Sequence, residues 1–286
     1  MPHSSTAVLL ISCPDQRGLV ARVSQFLYQN NGNILHSDHH TDAESGLFLM
    51  RIEWDLEGFQ IPRERLAETF APQAAQLNLT WELHFSDPRP RMAIFVSKQS
   101  HCLYDLLWRH SAGELAAELV LVVSNHADLA SAVERHGIPF VALPITAETK
   151  NAQEPRQLNL LEEHRVDLVV LARYMQILSP RFVDRFPHRI INIHHSFLPA
   201  FVGARPYHQA HERGVKLIGA TSHYATKDLD DGPIIEQDVA RISHRDTVED
   251  LVRKGRDLER VVLARAVRLH LERRVLPYGR KTVVFD

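Results

Sequence analysis

The sequence predicts an α/β protein of two domains, a smaller one followed by a larger one that contains a mostly parallel sheet. The chain has 286 residues, more than a single domain of ordinary size requires. Two prolines and three charged residues interrupt the apolar pattern at residues 86–91. The orders of strand and helix patterns differ on the two sides of this break. We therefore predict a first domain at residues 1–86, a linker at 87–91 and a second domain at 92–286.

The first domain shows the patterns of strands and helices in the order β-α-β-β-α-β, which is ferredoxin-like. A strand at residues 7–11 and a turn at 14–18 precede a helix, whose apolar residues recur at helical spacing from Leu19 to Leu27. Another strand begins near Asn33. The next strand has Phe48, Met50, Ile52 and Trp54 on one face. The helix after it has Leu66, Phe70 and Ala74 on one face, and the last strand has Leu79, Trp81, Leu83 and Phe85. This alternation predicts a sheet with one buried face.

In the second domain, short apolar runs alternate with segments of helical length, which predicts βαβ units and a Rossmann-like parallel sheet covered on both faces. The predicted strands are residues 92–96, 119–123, 140–143, 167–171, 189–193, 217–224 and 234–239. The predicted helices are residues 101–110, 128–137, 155–164 and 247–273, the last beginning at a capping box of Thr247 and Asp250. Ligands bind at the carboxyl ends of parallel strands, so we expect the functional site in the loops that follow them.

Composition and charge exclude several classes of protein. The 33 basic and 35 acidic residues are mixed along the chain, which gives no basic surface for nucleic acid or an anionic membrane. No apolar run reaches the eighteen residues of a membrane span, and the N-terminus does not resemble a signal peptide. Cys13 and Cys102 have apolar neighbours and are expected to be free, buried thiols. We therefore expect a cytoplasmic protein that binds neither nucleic acid nor membrane.

Three polar residues are candidates for catalysis. On a strand at residues 189–193, alternate side chains share a face, so Asn192 and His194 converge at its end. An amide donor and an imidazole suit the tetrahedral intermediate of acyl chemistry. Asp230 lies in a turn at residues 228–233, where a carboxylate near His194 could orient the imidazole or a water molecule. Taken singly, an Asn and a His at a strand end are more often a turn former and a core histidine, and a carboxylate in a turn such as that of Asp230 is more often only structural.

Three segments together resemble the 10-formyltetrahydrofolate formyltransferase family: residues 192–199, 214–223 and 229–235. The resemblance implies that Asn192, His194 and Asp230 are the catalytic residues. It also implies that the pterin ring of a folate binds against the loop at residues 172–178 and the loop leading to Asp230. The substrate-binding residues expected on this basis are Arg173, Tyr174, Met175, Gln176, Ile177, Leu178, His195, Ser196 and Leu229. For Leu178, core packing is the alternative.

The chain departs from this family at the position of the acceptor site. Transferases of the family have a Gly-rich loop after the first strand, which holds the phosphate of the acceptor. Here residues 97–103 follow that strand, and no glycine occurs between Gly58 and Gly113. His195 stands where the transferases usually have proline. Together with residues 97–103, residues 204–207 resemble a hydrolytic member of the family instead.

Without a cradle for an amine acceptor, water is the expected nucleophile. Asp230 and His194 are expected to activate it, and Asn192 and His194 to stabilise the oxyanion. The expected reaction is hydrolysis of 10-formyltetrahydrofolate to formate and tetrahydrofolate, which supplies formate for purine biosynthesis and balances one-carbon pools. Transfer of the formyl group to an amine is the alternative reaction.

The segment at residues 15–20 resembles the start of an ACT domain, which implies control by a small amino acid. The expected effector-binding residues are Gly18, Leu19, Val20, Asn33 and Ile34, although turn formation alone also explains Gly18. ACT domains commonly pair edge to edge, so a homo-oligomer is expected by analogy.

Two other functions were weighed against this one. The eighteen histidines suggest a metal-dependent hydrolase that would use His194, His195, His208, His211 and His223. Formyl hydrolysis does not require a metal, and a metal site also needs supporting groups around its ligands, so we expect neither metal nor cofactor. The other function is an amino-acid-sensing regulator without catalysis, against which the retention of all three polar residues argues.

Overall fold

The computed structural model describes residues 5–146, 148–199 and 206–286, with only the backbone of Asn151. The chain divides into two compact units. The first comprises Met1–Arg89, Arg273–Leu276 and Val283–Asp286, and the second comprises Pro90–Glu272 and Pro277–Thr282. The division after Arg89 falls inside the predicted linker, residues 87–91. The predicted second domain, 92–286, includes two C-terminal segments that belong to the first unit, Arg273–Leu276 and Val283–Asp286. In that unit, Arg51 Nε donates to the carbonyl oxygen of Arg273 at 3.0 Å.

The first unit contains a four-stranded antiparallel sheet and two helices. Its elements are β1 (Thr6–Pro14), α1 (Leu19–Gln29), β2 (Asn33–Asp42), β3 (Leu47–Asp55), α2 (Arg63–Gln76) and β4 (Thr80–Phe85). The strands lie in the order β2-β3-β1-β4, and every pairing is antiparallel. The predicted β-α-β-β-α-β order is therefore confirmed.

The apolar residues predicted for one face of this sheet form a core with the two helices, and Met50, Ile52 and Leu66 are among its least exposed members. The expectation of a single buried face is wrong, however, because Leu49 and Arg51 on the other face of β3 are also buried. The Arg51 guanidinium is paired there, since its Nη2 lies 2.7 Å from a carboxylate oxygen of Glu53. A period of two gives the direction of a side chain but not whether the second face is covered.

The second unit is built on a seven-stranded sheet in the order β11-β10-β9-β8-β5-β6-β7. Its strands are β5 (Arg91–Val96), β6 (Glu118–Ser124), β7 (Phe140–Ala142), β8 (Leu168–Ala172), β9 (Ile190–His194), β10 (Leu217–Tyr224) and β11 (Ile234–Arg241). The first five run parallel to one another, whereas β10 runs antiparallel to both β9 and β11. The predicted mostly parallel α/β class is confirmed.

The helices of this unit are α3 (His101–Ser111), α4 (Ala130–Glu134), α5 (Lys150–Glu163), α6 (Pro180–Arg185), α7 (Pro206–Glu212) and α8 (Val248–Leu271). The capping box predicted for Thr247 and Asp250 is present at the start of α8. Helix α6 was not predicted, because six residues are too few to show a helical period; its signals are the Ser179 cap and Pro180 in the first turn. In the parts of the chain that the structure describes, no helix combines the length and apolarity needed to cross a bilayer.

A short hairpin near the C-terminus was also not predicted; it pairs β12 (Val275–Tyr278) with β13 (Lys281–Val284). Both cysteines, Cys13 and Cys102, are free and buried, as expected.

The pairing of β8, β9 and β10 brings the ends of three strands together. The parallel register of β8 and β9 aligns Leu171 with Asn192 at their carboxyl ends. The antiparallel register of β9 and β10 places Asn192 opposite His223. The loop after β8 and the end of β9 therefore lie at one edge of the sheet, where the topology of α/β proteins places ligands. The loop between β10 and β11 leaves β10 beside the start of β9 and reaches this edge through the contact of Asp230 with His194.

Candidate active site

Asn192, His194 and Asp230, the three predicted catalytic residues, lie together at this edge of the sheet. His194 Nδ1 is 3.2 Å from a carboxylate oxygen of Asp230, and the side chains are only 7% and 13% exposed. Because the carboxylate accepts this hydrogen bond, the pKa of Asp230 is held below its ordinary value, although partial burial opposes the shift. Asp230 is therefore an ionised carboxylate beside an imidazole at neutral pH.

The second ring nitrogen of His194, Nε2, is buried and has no hydrogen-bond partner among the residues that the structure describes. A neutral imidazole that donates from Nδ1 to Asp230 carries its lone pair on Nε2. Buried polar atoms are nearly always satisfied by protein, water or ligand. His194 Nε2 is therefore a polar atom of this site whose hydrogen bond the described residues do not supply.

His223 on β10 fixes the orientation of Asn192. Its Nδ1 lies 3.0 Å from the carbonyl oxygen of Tyr224, which can only accept, so Nδ1 carries the proton. Nε2 of the same ring then accepts from the amide nitrogen of Asn192 at 3.1 Å. Burial lowers the pKa of His223, which keeps the ring neutral and able to accept. From the sequence, His223 is only a possible metal ligand, because its pairing with Asn192 depends on the register of β9 and β10.

The turn that carries Asp230 is tightly constrained. Asp230 adopts a left-handed backbone conformation with φ 55°, which aspartate tolerates better than most residues. Gly232 is needed for close approach, since a Cβ atom there would lie 1.7 Å from the carbonyl oxygen of Tyr224. Gly232 itself does not have a positive φ, so space and not backbone conformation requires glycine there. The turn therefore lies against the end of β10 and holds the Asp230 carboxylate beside His194.

A cavity of about 400 Å³ contains the three residues, a volume suited to a small organic ligand. Its walls include all of the predicted substrate-binding residues except Ser196, namely Arg173, Tyr174, Met175, Gln176, Ile177, Leu178, His195 and Leu229. Met175, Ile177 and Leu229 are 59%, 59% and 64% exposed, so three large apolar side chains surround its opening. Ser196 is buried outside this lining, and its carbonyl oxygen accepts from Thr221 Oγ1.

Two of the predicted substrate-binding residues also belong to the core beneath the cavity. The Tyr174 hydroxyl accepts from Gln157 Nε2 at 2.9 Å, and its ring packs edge-on against Phe95. Burial raises the pKa of Tyr174 to about 12, so it is a neutral structural group. Leu178 lines the cavity and also packs against the same core. Its position therefore agrees both with substrate binding and with core packing.

The loop after β8 is held by polar contacts with the loop after β5. The Ser97 backbone N–H donates to the Arg173 carbonyl oxygen, and the Met175 N–H donates to the Ser97 hydroxyl oxygen at 3.0 Å. Arg173 has φ 61°, a conformation that side chains other than glycine, asparagine and aspartate seldom adopt. Outliers of this kind persist only where the surrounding contacts hold them, and they are common at functional sites.

His195 is neutral at physiological pH. Burial lowers its pKa to about 4, with a further contribution from the Arg173 guanidinium. Its ring packs edge-on against His194, with centroids 5.1 Å apart, and lies 6.1 Å from the ring of Tyr207. Ala204 and Arg205, two residues of the predicted segment 204–207, lie outside the described residues.

The histidines of the alternative metal site do not form a cluster of three ligands in the described part of the chain. These histidines are His194, His195, His208, His211 and His223. A different group, His101, Cys102 and Glu259, has ligand atoms within 4.8 Å of one another. Arg173 Nε lies 3.4 Å from Glu259 in that group, and a guanidinium there disfavours a second cation.

The residues expected to bind an effector lie in the first unit. Gly18 is exposed and adopts φ 85° at the start of α1, so its role in the turn is established by geometry. Leu19 is 3% exposed and its side chain belongs to the core of this unit. Asn33 and Ile34 are exposed at the start of β2. Effector binding at these residues stays a prediction.

Comparison with known proteins defines the class of the molecule. A model of the formyl transferase family matches residues 90–267, and a model of the ACT domain matches residues 7–71. The chain is thus an ACT domain joined to a formyl transferase domain.

Relatives of full length give the family. A formyltetrahydrofolate deformylase from Synechocystis sp. is 63% identical over 98% of this chain and 98% of its own length. The crystal structure of a formyltetrahydrofolate deformylase from Pseudomonas syringae pv. tomato has a TM-score of 0.97 and 49% identity, and the match covers 100% of this chain and 96% of that one. This chain belongs to the formyltetrahydrofolate deformylase family, which confirms the predicted resemblance.

A glycinamide ribonucleotide transformylase from Symbiobacterium toebii is also similar, with a TM-score of 0.67 and 33% identity. That match covers 98% of the transformylase but 72% of this chain. The deformylases therefore match this chain over more of its length than the transformylase does.

Proposed function

We propose that the chain hydrolyses 10-formyltetrahydrofolate to formate and tetrahydrofolate, with Asn192, His194 and Asp230 as the reacting centre and without a metal or cofactor. The observation that carries this proposal is the buried Nε2 of His194, which has no partner among the described residues, in a residue that lines the cavity and is bonded to Asp230 through Nδ1. This arrangement resembles the base and orienting carboxylate of acyl hydrolases.

In the proposed first step, a water molecule attacks the formyl carbon while its proton passes to His194 Nε2. A carboxylate with a lowered pKa is a weaker base than an ordinary one, which assigns proton transfer to His194 and charge compensation to Asp230. This division of roles differs from the expectation that Asp230 and His194 together activate the water. The imidazolium that forms lies beside the Asp230 carboxylate, which stabilises it.

Asn192 is the proposed oxyanion donor. Its amide nitrogen donates one hydrogen to His223 and carries a second, which can be donated to the negative oxygen of the tetrahedral intermediate. The intermediate collapses when the bond between the formyl carbon and N10 breaks and His194 returns its proton to N10. Tetrahydrofolate and formic acid then leave, the acid loses its proton to solvent as formate, and the ring is again neutral.

Water as the acceptor is supported by the contacts of the loop after β5. The Ser97 hydroxyl donates to Asn125, Gln99 accepts from Arg173, and His101 is bonded to Glu259. The side chains of Ser97, Gln99 and the first residue of α3 are thus used within the protein itself, where a transferase needs groups that face an acceptor. The full-length relatives carry deformylase names, which agrees with hydrolysis.

We further propose that a small amino acid binds to the ACT unit around Gly18, Val20, Asn33 and Ile34 and changes the rate of hydrolysis. The chain is also proposed to be a cytoplasmic homo-oligomer whose formate supplies purine biosynthesis. Titration of single amino acids against the rate, and light scattering of the purified protein, test the effector and the oligomer.

The experiment for the central proposal measures formate and tetrahydrofolate released from 10-formyltetrahydrofolate by the purified chain. Both products should appear in equal amounts without an added amine, and activity should survive exhaustive chelation. Product formation that requires an amine would instead favour the transferase, and loss of activity on chelation would favour a metal-dependent hydrolase.

A further inference from the structure

Glu259 is a buried carboxylate that the proposed reaction does not use. It lies on α8 and is 1% exposed. One of its oxygens lies 2.7 Å from His101 Nε2 and 3.4 Å from Arg173 Nε, and the other accepts from the Tyr207 hydroxyl at 2.7 Å. Burial alone would raise the pKa of Glu259, but these partners outweigh it and leave the pKa below its ordinary value. Glu259 is therefore an ionised group that depends on three partners.

The partners of Glu259 come from separate segments around the catalytic cavity. Arg173 lies in the cavity wall, in the loop after β8, and has the left-handed backbone already described. Tyr207 lies at the start of α7, and its ring packs against His195, which packs against His194. His101 begins α3, directly after the loop that follows β5. One carboxylate thus connects two walls of the cavity and the loop beside them.

Helix α8 is shaped to admit one of these partners. Gly255 lies one turn before Glu259, and a Cβ atom there would be 2.0 Å from the Tyr207 hydroxyl oxygen. Any side chain at this position would therefore displace the hydroxyl that is bonded to Glu259. Such a close approach of a tyrosine ring to a helix backbone is the kind of contact that only glycine permits.

We infer that Glu259 is a positioning residue for hydrolysis, which holds the substrate-binding loop through Arg173 and the His195–His194 pair through Tyr207. This inference rests on the proposed function. The contact with Arg173 acts on the loop expected to bind the folate, so its loss should appear in KM. The contact with Tyr207 acts on the imidazole that transfers the proton, so its loss should appear in kcat.

The test compares the kinetics of Glu259→Gln, Tyr207→Phe and the double variant in the full-length enzyme. Glutamine has the size of glutamate but presents an amide to donors, so KM should rise and kcat should fall, each by about tenfold. Phenylalanine keeps the ring against His195 and removes only the hydroxyl, so kcat should fall by about fivefold with KM unchanged. The double variant should match Glu259→Gln in kcat, because both changes break the same contact.

Val267→Ala is the matched control for a merely structural effect. Val267 is a fully buried residue of the same helix that lies outside the cavity lining, so the variant lowers thermal stability without touching the site. Assays well below the melting temperature of each variant should leave kcat and KM of Val267→Ala unchanged. Kinetic losses in Val267→Ala as large as those in Glu259→Gln would overturn the inference.

Other outcomes also decide the question. Normal kinetics in folded Glu259→Gln, or additive losses in the double variant, would contradict the inference while leaving hydrolysis by the parent chain intact. If Glu259→Gln does not fold, Tyr207→Phe decides alone, and an unchanged kcat would overturn the inference. If the parent chain does not hydrolyse the substrate, the proposed function fails, and calorimetric titration with tetrahydrofolate still tests Glu259: about tenfold weaker binding is expected in Glu259→Gln only.

Discussion

Replacement of Asp230 by asparagine removes the charge beside His194 and keeps the size of the side chain. In the proposed reaction an imidazolium forms with its Nδ1 atom 3.2 Å from the Asp230 carboxylate. Opposite unit charges at about 4 Å in a partly desolvated site interact by about 4 kcal/mol. Since about 1.4 kcal/mol is tenfold in rate, kcat should fall by about a thousandfold in Asp230→Asn. KM should change little, because the apolar walls of the cavity remain.

The assay is formate release under saturating 10-formyltetrahydrofolate, with tetrahydrofolate binding measured separately. Asp231→Asn is the matched control, since this neighbouring carboxylate is exposed, lies outside the cavity lining and pairs with Arg280. The control should keep the parental rate. A kcat of Asp230→Asn within tenfold of the parent would refute the assignment of charge compensation to Asp230.

The remaining predictions concern the neighbouring polar groups. Asn192→Ala should lower kcat by several hundredfold with nearly unchanged folate binding, because one oxyanion donor contributes about 3 to 4 kcal/mol; steady-state kinetics with equal turnover would contradict this. His223→Phe should lower kcat by about tenfold, since Asn192 loses the acceptor that orients its amide, and an unchanged rate would show that the amide is oriented otherwise. The pKa of about 4 for His195 predicts that the free energy of unfolding falls as pH drops from about 6.5 to about 4, because the unfolded chain binds the proton first. Protonation of His195 changes the free energy of unfolding by about 3 kcal/mol over this range. The urea midpoint should therefore depend less on pH in His195→Gln than in the parent, and an equal dependence would contradict the lowered pKa of His195.

Much of the fold follows from local sequence patterns. The period of two located β3 and β9, and the Thr247 capping box located the start of α8. These features depend on neighbours in the sequence. The burial of Leu49 and Arg51 and the grouping of the C-terminal segments with the first unit depend on distant segments, which no local period encodes.

The candidate site shows the same division. Strand alternation placed Asn192 and His194 on one face, whereas Asp230 was assigned through the family resemblance. His223 and Glu259 were missed as positioning groups because their roles come from strand register and helix packing. A histidine in the run that ends at Tyr224 and a glutamate four residues after Gly255 are weak signals until those contacts are known.

The source of the second oxygen in the released formate is the most direct test of hydrolysis at this site. The purified chain should convert 10-formyltetrahydrofolate in ¹⁸O-labelled water to formate that carries one labelled oxygen, without any added amine. Over the same period, Asn192→Ala should form almost no labelled formate. Formate without the label, or formyl loss only when an amine is supplied, would contradict the attack of water on the formyl carbon beside His194.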